Sequence, residues 1–156
     1  MQAYAAALGL LARRRLTEAQ LRTRLERRGF DDDAIGAALA KCIAERFVDD
    51  ALFAALYIEN MCGAKGDRRL IGELLRRGVD AERARRAVAD APKDESVRCS
   101  DAIAKERRAH PNASYPSLAR MLERRGFPAS LIYRLLREAA LHDGALDPLD
   151  LATALQ

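Results

Sequence analysis

The sequence has few of the residues that build β-sheets. It contains no Trp, and aromatic residues make up only 5% of its 156 positions. Val, Ile, Thr and Tyr do not alternate with polar residues over any stretch long enough to form a strand. Ala, Leu, Arg and Glu dominate instead, and this composition favours helices. We therefore predict an all-α protein.

Disulfide frameworks and membrane segments are also missing. Cys42, Cys62 and Cys99 are odd in number and show no Cys-x-x-Cys spacing. Thiols in this pattern are typical of a reducing compartment, so we expect a cytoplasmic protein. The apolar run at 5–12 is far shorter than a membrane-spanning helix, and no signal segment precedes it. We expect no membrane association.

Patterns that support catalysis are absent as well. His110 and His142 are far apart in the chain, and neither stands in a cluster of metal-ligating residues. The acidic runs 31–33 and 49–50 resemble carboxylate sites, but acidic residues also favour helix N-termini, and we place them there. The glycines of 63–66 lack the Gly-Lys-Ser/Thr ending of a phosphate loop. We predict a non-enzymatic protein without catalytic residues, metal or cofactor.

The charge balance is mildly positive. The sequence has 27 Lys and Arg residues against 23 Asp and Glu residues, a net charge of +4. This excess is compatible with a polyanionic partner but is too small to require one. Most of the cations are arginine, whose planar guanidinium suits phosphate and carboxylate groups.

A ten-residue phrase occurs three times, at 21–30, 70–79 and 118–127. Each copy has two leucines four residues apart, then Arg-Arg-Gly and a closing apolar residue. The leucines that open the copies are 49 and 48 residues apart. Such a period is typical of stacked helical units. We interpret the phrase as the second helix of a three-helix repeat.

The phrase also predicts how this helix ends. A Gly after Arg-Arg suits the left-handed residue that terminates a helix in a Schellman motif. In that motif, the residue after the Gly contacts the residue five positions before itself in the chain. The stop glycines are Gly29, Gly78 and Gly126. Their predicted contact pairs are Leu25 with Phe30, Leu74 with Val79, and Leu122 with Phe127.

The repeat predicts nine helices, three in each of three tandem units. The units are 1–48, 49–92 and 93–142, followed by a mildly acidic tail at 143–156. Gln20 stands three residues after Thr17, and this spacing is the signature of a capping box at the start of a helix. Ser114 is the corresponding cap in the third unit. For the tail, the sequence leaves open a short helix or a frayed end.

The two arginines of each copy face different directions on an ideal helix. At ~100° per residue, the second arginine falls about 20° from the apolar face, whereas the first points about 120° away. The second arginines are Arg28, Arg77 and Arg125. We expect them to lay their aliphatic stems along the core.

The first arginines, Arg27, Arg76 and Arg124, are expected to point outward. Because they recur once per unit, a stack of units would present them as a row of cations. Such a row would suit a long polyanion or an acidic filament groove. A solvated helix face would explain any one of them equally well.

The motifs formed by several of these residues resemble those of the RecX family. In the first unit the resemblance rests on Tyr4-Ala, on Leu11-Ala-Arg-Arg-Arg-Leu-Thr17, and on the phrase that ends in Gly29-Phe30. The second unit carries the more specific part. It runs from Val48-Asp49-Asp50 through Phe53-Ala54, Tyr57, Gly66, Arg69 and Glu73-Leu74 to Gly78-Val79. The resemblance covers nearly all of the chain, roughly residues 4–138.

The resemblance implies an all-α fold of three tandem three-helix repeats, stacked into an elongated, curved, right-handed array. It also implies a regulator that binds RecA and the RecA–DNA filament and inhibits strand exchange and the RecA ATPase. Such a protein would modulate homologous recombination, DNA repair and the SOS response. Direct binding to single- or double-stranded DNA is implied as well. The repeat itself is most consistent with a monomer.

The residues expected to contact the filament or DNA lie at helix ends and turns. They are Arg24, Arg27, Lys65, Arg68, Arg69, Arg76, Arg120 and Arg124. The chain departs from the family pattern at Glu59 and Met61, where basic residues are usual, and at Asp67, where Pro is common. We therefore expect weaker direct DNA contact in the second unit.

An alternative function is that of a helical-repeat DNA-binding protein that acts independently of RecA. Its affinity for DNA would fall steeply with salt concentration, because each neutralised phosphate releases a counterion.

Overall fold

The computed structural model describes residues 2–142, so the tail at 143–156 lies outside the described residues. Within that range the chain forms nine helices and no strand, which confirms the predicted all-α fold. The helices are α1 (Gln2–Leu11), α2 (Glu18–Glu26), α3 (Asp32–Ala44), α4 (Asp50–Met61), α5 (Asp67–Arg76), α6 (Ala81–Ala89), α7 (Glu95–Ala109), α8 (Tyr115–Arg124) and α9 (Ala129–His142). None of these helices is long and apolar enough to cross a membrane.

Side chains cap the helices where the sequence predicts caps. Thr17 and Gln20 form the capping box of α2, and Ser114 caps α8. A carboxylate oxygen of Asp31 accepts a hydrogen bond from the N–H of Ala34, the third residue of α3, at 2.8 Å, and Asp49 accepts one from Leu52, the third residue of α4, at 2.9 Å. These caps satisfy backbone donors that a helix cannot pair internally. The acidic runs are therefore helix starts.

The predicted stop is present after α2, α5 and α8. The three stop glycines have φ of 81°, 85° and 90°, in the left-handed region. The N–H after each glycine donates to the leucine carbonyl five residues earlier, at 3.4 Å in the first copy, 3.1 Å in the second and 3.2 Å in the third. A second bond of 2.9 Å joins each glycine N–H to the carbonyl three residues before it. Together these two bonds define the Schellman motif.

The chain divides into two compact units. Among the described residues, the first unit contains 2–59 and 71–90, and the second contains 60–70 and 91–142. The division into three repeats with boundaries at 48 and 92 stays a prediction. One hydrophobic core lies among α1, α2 and α3 of the first unit and includes Leu21, Leu25 and Leu39. A second core lies among α7, α8 and α9 of the second unit.

In the first unit, the start of α2 contacts the residues that end α5. The Thr17 hydroxyl donates to the Arg77 carbonyl at 2.6 Å, and a Cβ on Gly78 would lie 2.3 Å from Cβ of Ala19. The Glu18 N–H donates to Oδ1 of Asp50 at 2.9 Å. Burial raises the pKa of Asp50, although the hydrogen bond from Glu18 lowers it in part.

The second unit repeats this arrangement at the start of α5. The Gly66 N–H donates to the Arg125 carbonyl at 2.9 Å, and a Cβ on Gly66 would lie 2.3 Å from the carbonyl carbon of Gly126. The Asp67 N–H donates to Oε1 of Glu95 at 2.8 Å. The pKa of Glu95 is raised, again because of burial. In both units, therefore, the start of one helix contacts the residues that end a second helix, and it also donates a hydrogen bond to a carboxylate on a third helix.

Arg98 on α7 is a buried arginine, with only 1% of its surface exposed. Its Nε donates to the Lys93 carbonyl at 3.0 Å, and its guanidinium also bonds the Lys65 carbonyl and the Asp67 carboxylate. A buried cation requires such partners. A Pro at position 67 could provide neither this carboxylate nor the N–H that Glu95 accepts.

Candidate interaction surface

The first arginine of each repeated phrase is exposed, as its helical angle predicts. Arg27 directly follows the last residue of α2, and Arg76 and Arg124 are the last residues of α5 and α8. Arg27 and Arg76 belong to the first compact unit, and Arg124 belongs to the second. The structure therefore places all three at equivalent helix ends in contact with solvent. Whether they form one row stays a prediction.

The second arginine of the middle copy, Arg77, makes contacts within the protein. The guanidinium of Arg77 lies 4.5 Å from the ring centroid of Tyr57, and its Nη1 donates to the Glu73 carbonyl at 2.8 Å. A cation over an aromatic face is attracted by the electron-rich ring. Arg77 is accordingly half-buried, and its side chain has a structural role.

Tyr57 and Glu73, which carry the family resemblance, complete this network. The Tyr57 hydroxyl donates to Oε2 of Glu73 at 2.6 Å, and Glu73 is only 8% exposed. Burial and this hydrogen bond both raise the pKa of Tyr57. Phe53 stacks on Tyr57 with 6.5 Å between ring centroids. The sequence motif marks these residues but does not indicate that they position Arg77.

The second arginines of the other two copies differ from each other. Arg125 is half-buried, and its Nη2 donates to Oε2 of Glu106 at 3.2 Å. Arg28 is exposed, so the prediction that it lies along the core is wrong. Arg77 lies over the Tyr57 ring, which stands 13 positions before the opening leucine of its copy. The first copy has Leu8 at that position, and an aliphatic side chain offers no ring face to an arginine.

The other predicted contact residues lie on the surface to different degrees. Arg24 and Lys65 are half-buried, whereas Arg68, Arg69 and Arg120 are exposed. Nη1 of Arg69 donates to the Arg124 carbonyl at 3.1 Å. Arg69 thus contributes to the contact between the start of α5 and the end of α8. Its charge is close to the backbone of Arg124 in the second unit.

Arg124 also borders an open cleft of about 600 Å³ in the second unit. The cleft is lined by polar groups that include Glu106, His110, Asn112 and Ser117. Glu106 already accepts from Arg125 and lies 3.5 Å from Nε2 of His110. The arginine at the rim therefore brings a guanidinium to a polar surface that an acceptor group of a partner can reach.

The described residues include no group of three or more His, Cys, Asp or Glu side chains placed to hold a metal ion. Cys42 and Cys99 are completely buried, and burial raises the pKa of both thiols, that of Cys99 to about 11. Such thiols are poor nucleophiles because the thiolate is the reactive form. Cys42 is a residue of the first hydrophobic core.

Several proteins are similar in sequence to this chain over most of its length. A family described as RecX, first three-helix domain, matches residues 3–42. The regulatory protein RecX of Thermobifida fusca is 36% identical in an alignment 152 residues long, which covers 92% of this chain and 81% of that protein. The regulatory protein RecX of Geobacillus kaustophilus is 32% identical over 148 residues, or 90% of this chain and 55% of that protein.

The fold is also similar to a solved structure. The crystal structure of RecX from Lactobacillus salivarius superimposes with a TM-score of 0.79 and 21% identity, covering 90% of this chain and 96% of that one. This similarity supports the all-α helical-repeat architecture. Because the Thermobifida protein is more than 30% identical over most of both chains, this chain belongs to the RecX family of regulatory proteins.

Proposed function

We propose that this protein binds RecA and the RecA–DNA filament and inhibits RecA-mediated strand exchange and ATP hydrolysis without catalysing a reaction itself. Membership of a family of regulatory proteins supports a regulatory role. The main observation in favour of the proposed contact surface is that Arg27, Arg76 and Arg124 are exposed at equivalent helix ends. The neighbouring arginine is turned toward the protein in two of the three copies.

Exposed arginines at these positions suit a filament of nucleic acid and protein. A guanidinium binds phosphate or carboxylate oxygens with two parallel hydrogen bonds, which gives direction as well as charge. Each phosphate that an arginine neutralises on duplex DNA adds about 0.9 to the slope of log affinity against log salt. Three equivalent contacts would therefore make binding strongly salt-dependent without requiring a deep pocket.

The direct test replaces all three arginines by glutamate and measures retention on RecA filaments assembled on single-stranded DNA. We expect the triple variant to lose at least about tenfold in affinity, because each exposed arginine contact is replaced by repulsion. Inhibition of strand exchange should be lost in parallel. Circular dichroism and the melting temperature should remain those of the wild type, since all three side chains are exposed.

A matched control reverses three other exposed arginines, Arg85, Arg86 and Arg137, on α6 and α9. This variant has the same net charge as the first. It should bind filaments nearly as well as the wild type at about 0.15 M salt, where charges further apart than about 8 Å are screened. Equal losses in both variants would show that overall charge, rather than the helix-end arginines, determines binding.

Two further comparisons separate the proposed function from its alternative. Binding to free RecA and to bare DNA is measured beside binding to the filament. Retention on bare DNA equal to that on the filament, with a steep salt dependence, would favour a DNA-binding protein that acts without RecA. Arg69 is left unchanged in this test, because its bond to the Arg124 carbonyl would confound binding with stability.

A further inference from the structure

The end of α3 repeats the stop motif with one exception. The Phe47 N–H donates to the Cys42 carbonyl at 2.9 Å, and the Arg46 N–H donates to the Ile43 carbonyl at 3.0 Å. These are the two bonds of a Schellman motif. The left-handed position is occupied by Arg46, with φ of 60°, whereas the three stops described above use glycine.

Arg46 is the one residue other than glycine with positive φ in the part of the chain that the structure describes. In that conformation the Cβ of a side chain crowds the backbone, so glycine is the favoured residue. A strained residue of this kind points to a role for its side chain rather than for its backbone. Glycine would complete this helix stop with less strain but would provide no guanidinium.

Arg46 borders an open cavity whose lining combines four apolar residues with two arginines. Arg46 and Phe47 together with Leu8, Leu11, Ala12 and Arg15 line an open space of about 340 Å³ in the first unit, which we name the α3 groove. Phe47 leaves 49% of its surface exposed there. A cavity of this size is at the lower end of ligand pockets and suits one or two apolar anchor side chains.

The rim of the α3 groove is positively charged. Arg15 and Arg46 line it directly, and Arg13 and Arg14 are exposed just beyond the end of α1. The neighbouring acidic group is Glu45, whose carboxylate accepts a hydrogen bond from the Tyr4 hydroxyl. The groove therefore combines an aliphatic and aromatic floor with cations at its edge.

We propose that the α3 groove binds an acidic amphipathic segment of a partner protein. An apolar anchor of the segment fits between Leu8, Leu11 and Phe47, and its carboxylates pair with Arg15 and Arg46. Charge complementarity selects an acidic partner. The apolar floor selects a protein segment over nucleic acid, since phosphate contacts gain nothing from burying aliphatic carbon. This site shares no residue with the arginines proposed to contact the filament.

The test uses the full chain and a fluorescein-labelled peptide of roughly twelve residues, with Leu and Phe at helical spacing and Glu elsewhere. Fluorescence anisotropy should show saturable binding of this peptide. It should show about tenfold weaker binding of a version in which Gln replaces Glu. Absence of binding by the acidic peptide, or equal binding of both versions, would overturn the proposal.

Arg46→Gly separates binding from folding because its two expected effects have opposite signs. Loss of the left-handed side chain should raise the melting temperature, whereas loss of the guanidinium should weaken peptide binding about five- to tenfold. Phe47→Ala should also weaken binding, and Arg46→Lys should retain most of it. Arg85→Gln, at an exposed site on α6, serves as the control and should bind like the wild type. Wild-type affinity in Arg46→Gly would refute the assignment.

Two competing occupants have distinct outcomes. If oligothymidylate displaces the peptide and its own affinity falls in Phe47→Ala, the groove is a nucleic-acid site and the proposal is wrong. If the wild type self-associates in sedimentation and Phe47→Ala is monomeric, a second copy covers the groove, and the proposal is again wrong. Peptide binding by a monomer that oligothymidylate does not displace supports the proposal.

Discussion

Two stop glycines with nearly the same backbone conformation should respond differently to the same substitution. Gly29 and Gly78 have φ of 81° and 85°, so Ala at either position costs about 1–2 kcal/mol for the left-handed conformation. A Cβ on Gly29 would meet nothing within 4 Å, whereas a Cβ on Gly78 would lie 2.3 Å from Cβ of Ala19. Overpacking of this kind costs about 1–3 kcal/mol more. Gly78→Ala should therefore be the more destabilising change by that difference.

A double-mutant cycle isolates the packing part of this difference. Ala19→Gly removes the obstructing carbon and has its own cost of about 1 kcal/mol in helix propensity. In the Ala19→Gly background, Gly78→Ala should cost no more than Gly29→Ala costs in the wild type. The coupling energy between the two sites should then be about 1–3 kcal/mol.

Urea denaturation followed by far-UV circular dichroism measures the four free energies of unfolding in the cycle and that of Gly29→Ala. Thermal melts provide a second measure, at about 2–4 °C per kcal/mol for a chain of this size. Equal costs for Gly29→Ala and Gly78→Ala, or additive effects in the cycle, would refute the close approach of the end of α5 to the start of α2.

Three further predictions concern the second unit. Arg98→Met should cost about 3–5 kcal/mol in unfolding free energy, because the Asp67 carboxylate and two carbonyls lose their donor. In urea melts Arg137→Met should stay within about 0.5 kcal/mol of the wild type, and a similar loss there would contradict the argument. At pH 8 the Cys99 thiol, with its pKa raised to about 11, should be alkylated by iodoacetamide only as urea unfolds the chain. Peptide mass mapping that finds rapid native modification would disprove its burial. Because the pKa of Glu95 is raised in the folded state, the folded state binds more protons than the unfolded one at pH values just above the ordinary Glu pKa. Stability should therefore fall as pH rises through that window, and Glu95→Gln should remove this part of the dependence of stability on pH. Urea midpoints between about pH 4 and 6 would measure the dependence, and an unchanged slope in Glu95→Gln would contradict the argument.

The helix starts and stops could be predicted from the sequence because they depend on residues close together in the chain. The bond that ends α2 joins residues 25 and 30, and the cap that begins it joins Thr17 and Gln20. Such bonds need only the local backbone and the right side chain. The threefold phrase then indicated the repeat, and the outward angle of Arg27 followed from helix geometry alone.

The same geometry did not predict the environment of the second arginines. Arg28 and Arg77 occupy the same position of the phrase, yet one is exposed and the other lies over the Tyr57 ring. The position 13 residues before the opening leucine holds Leu8 in the first copy and Tyr57 in the second, so only the second of these copies offers an aromatic ring there. Helical angle predicts which way a side chain points but not what it meets there.

What the sequence determined by itself was the set of helices and their ends, because these depend on bonds among residues at most five positions apart. The tertiary structure alone decided how those ends are used. It buried Arg98 against the Lys65 carbonyl and the Asp67 carboxylate, and it brought Gly66 against Gly126, 60 positions later in the chain. It also left Arg46 in the left-handed conformation that glycine favours, at the edge of the α3 groove. Contacts between residues so far apart form only when helices pack, and no local pattern encodes their partners.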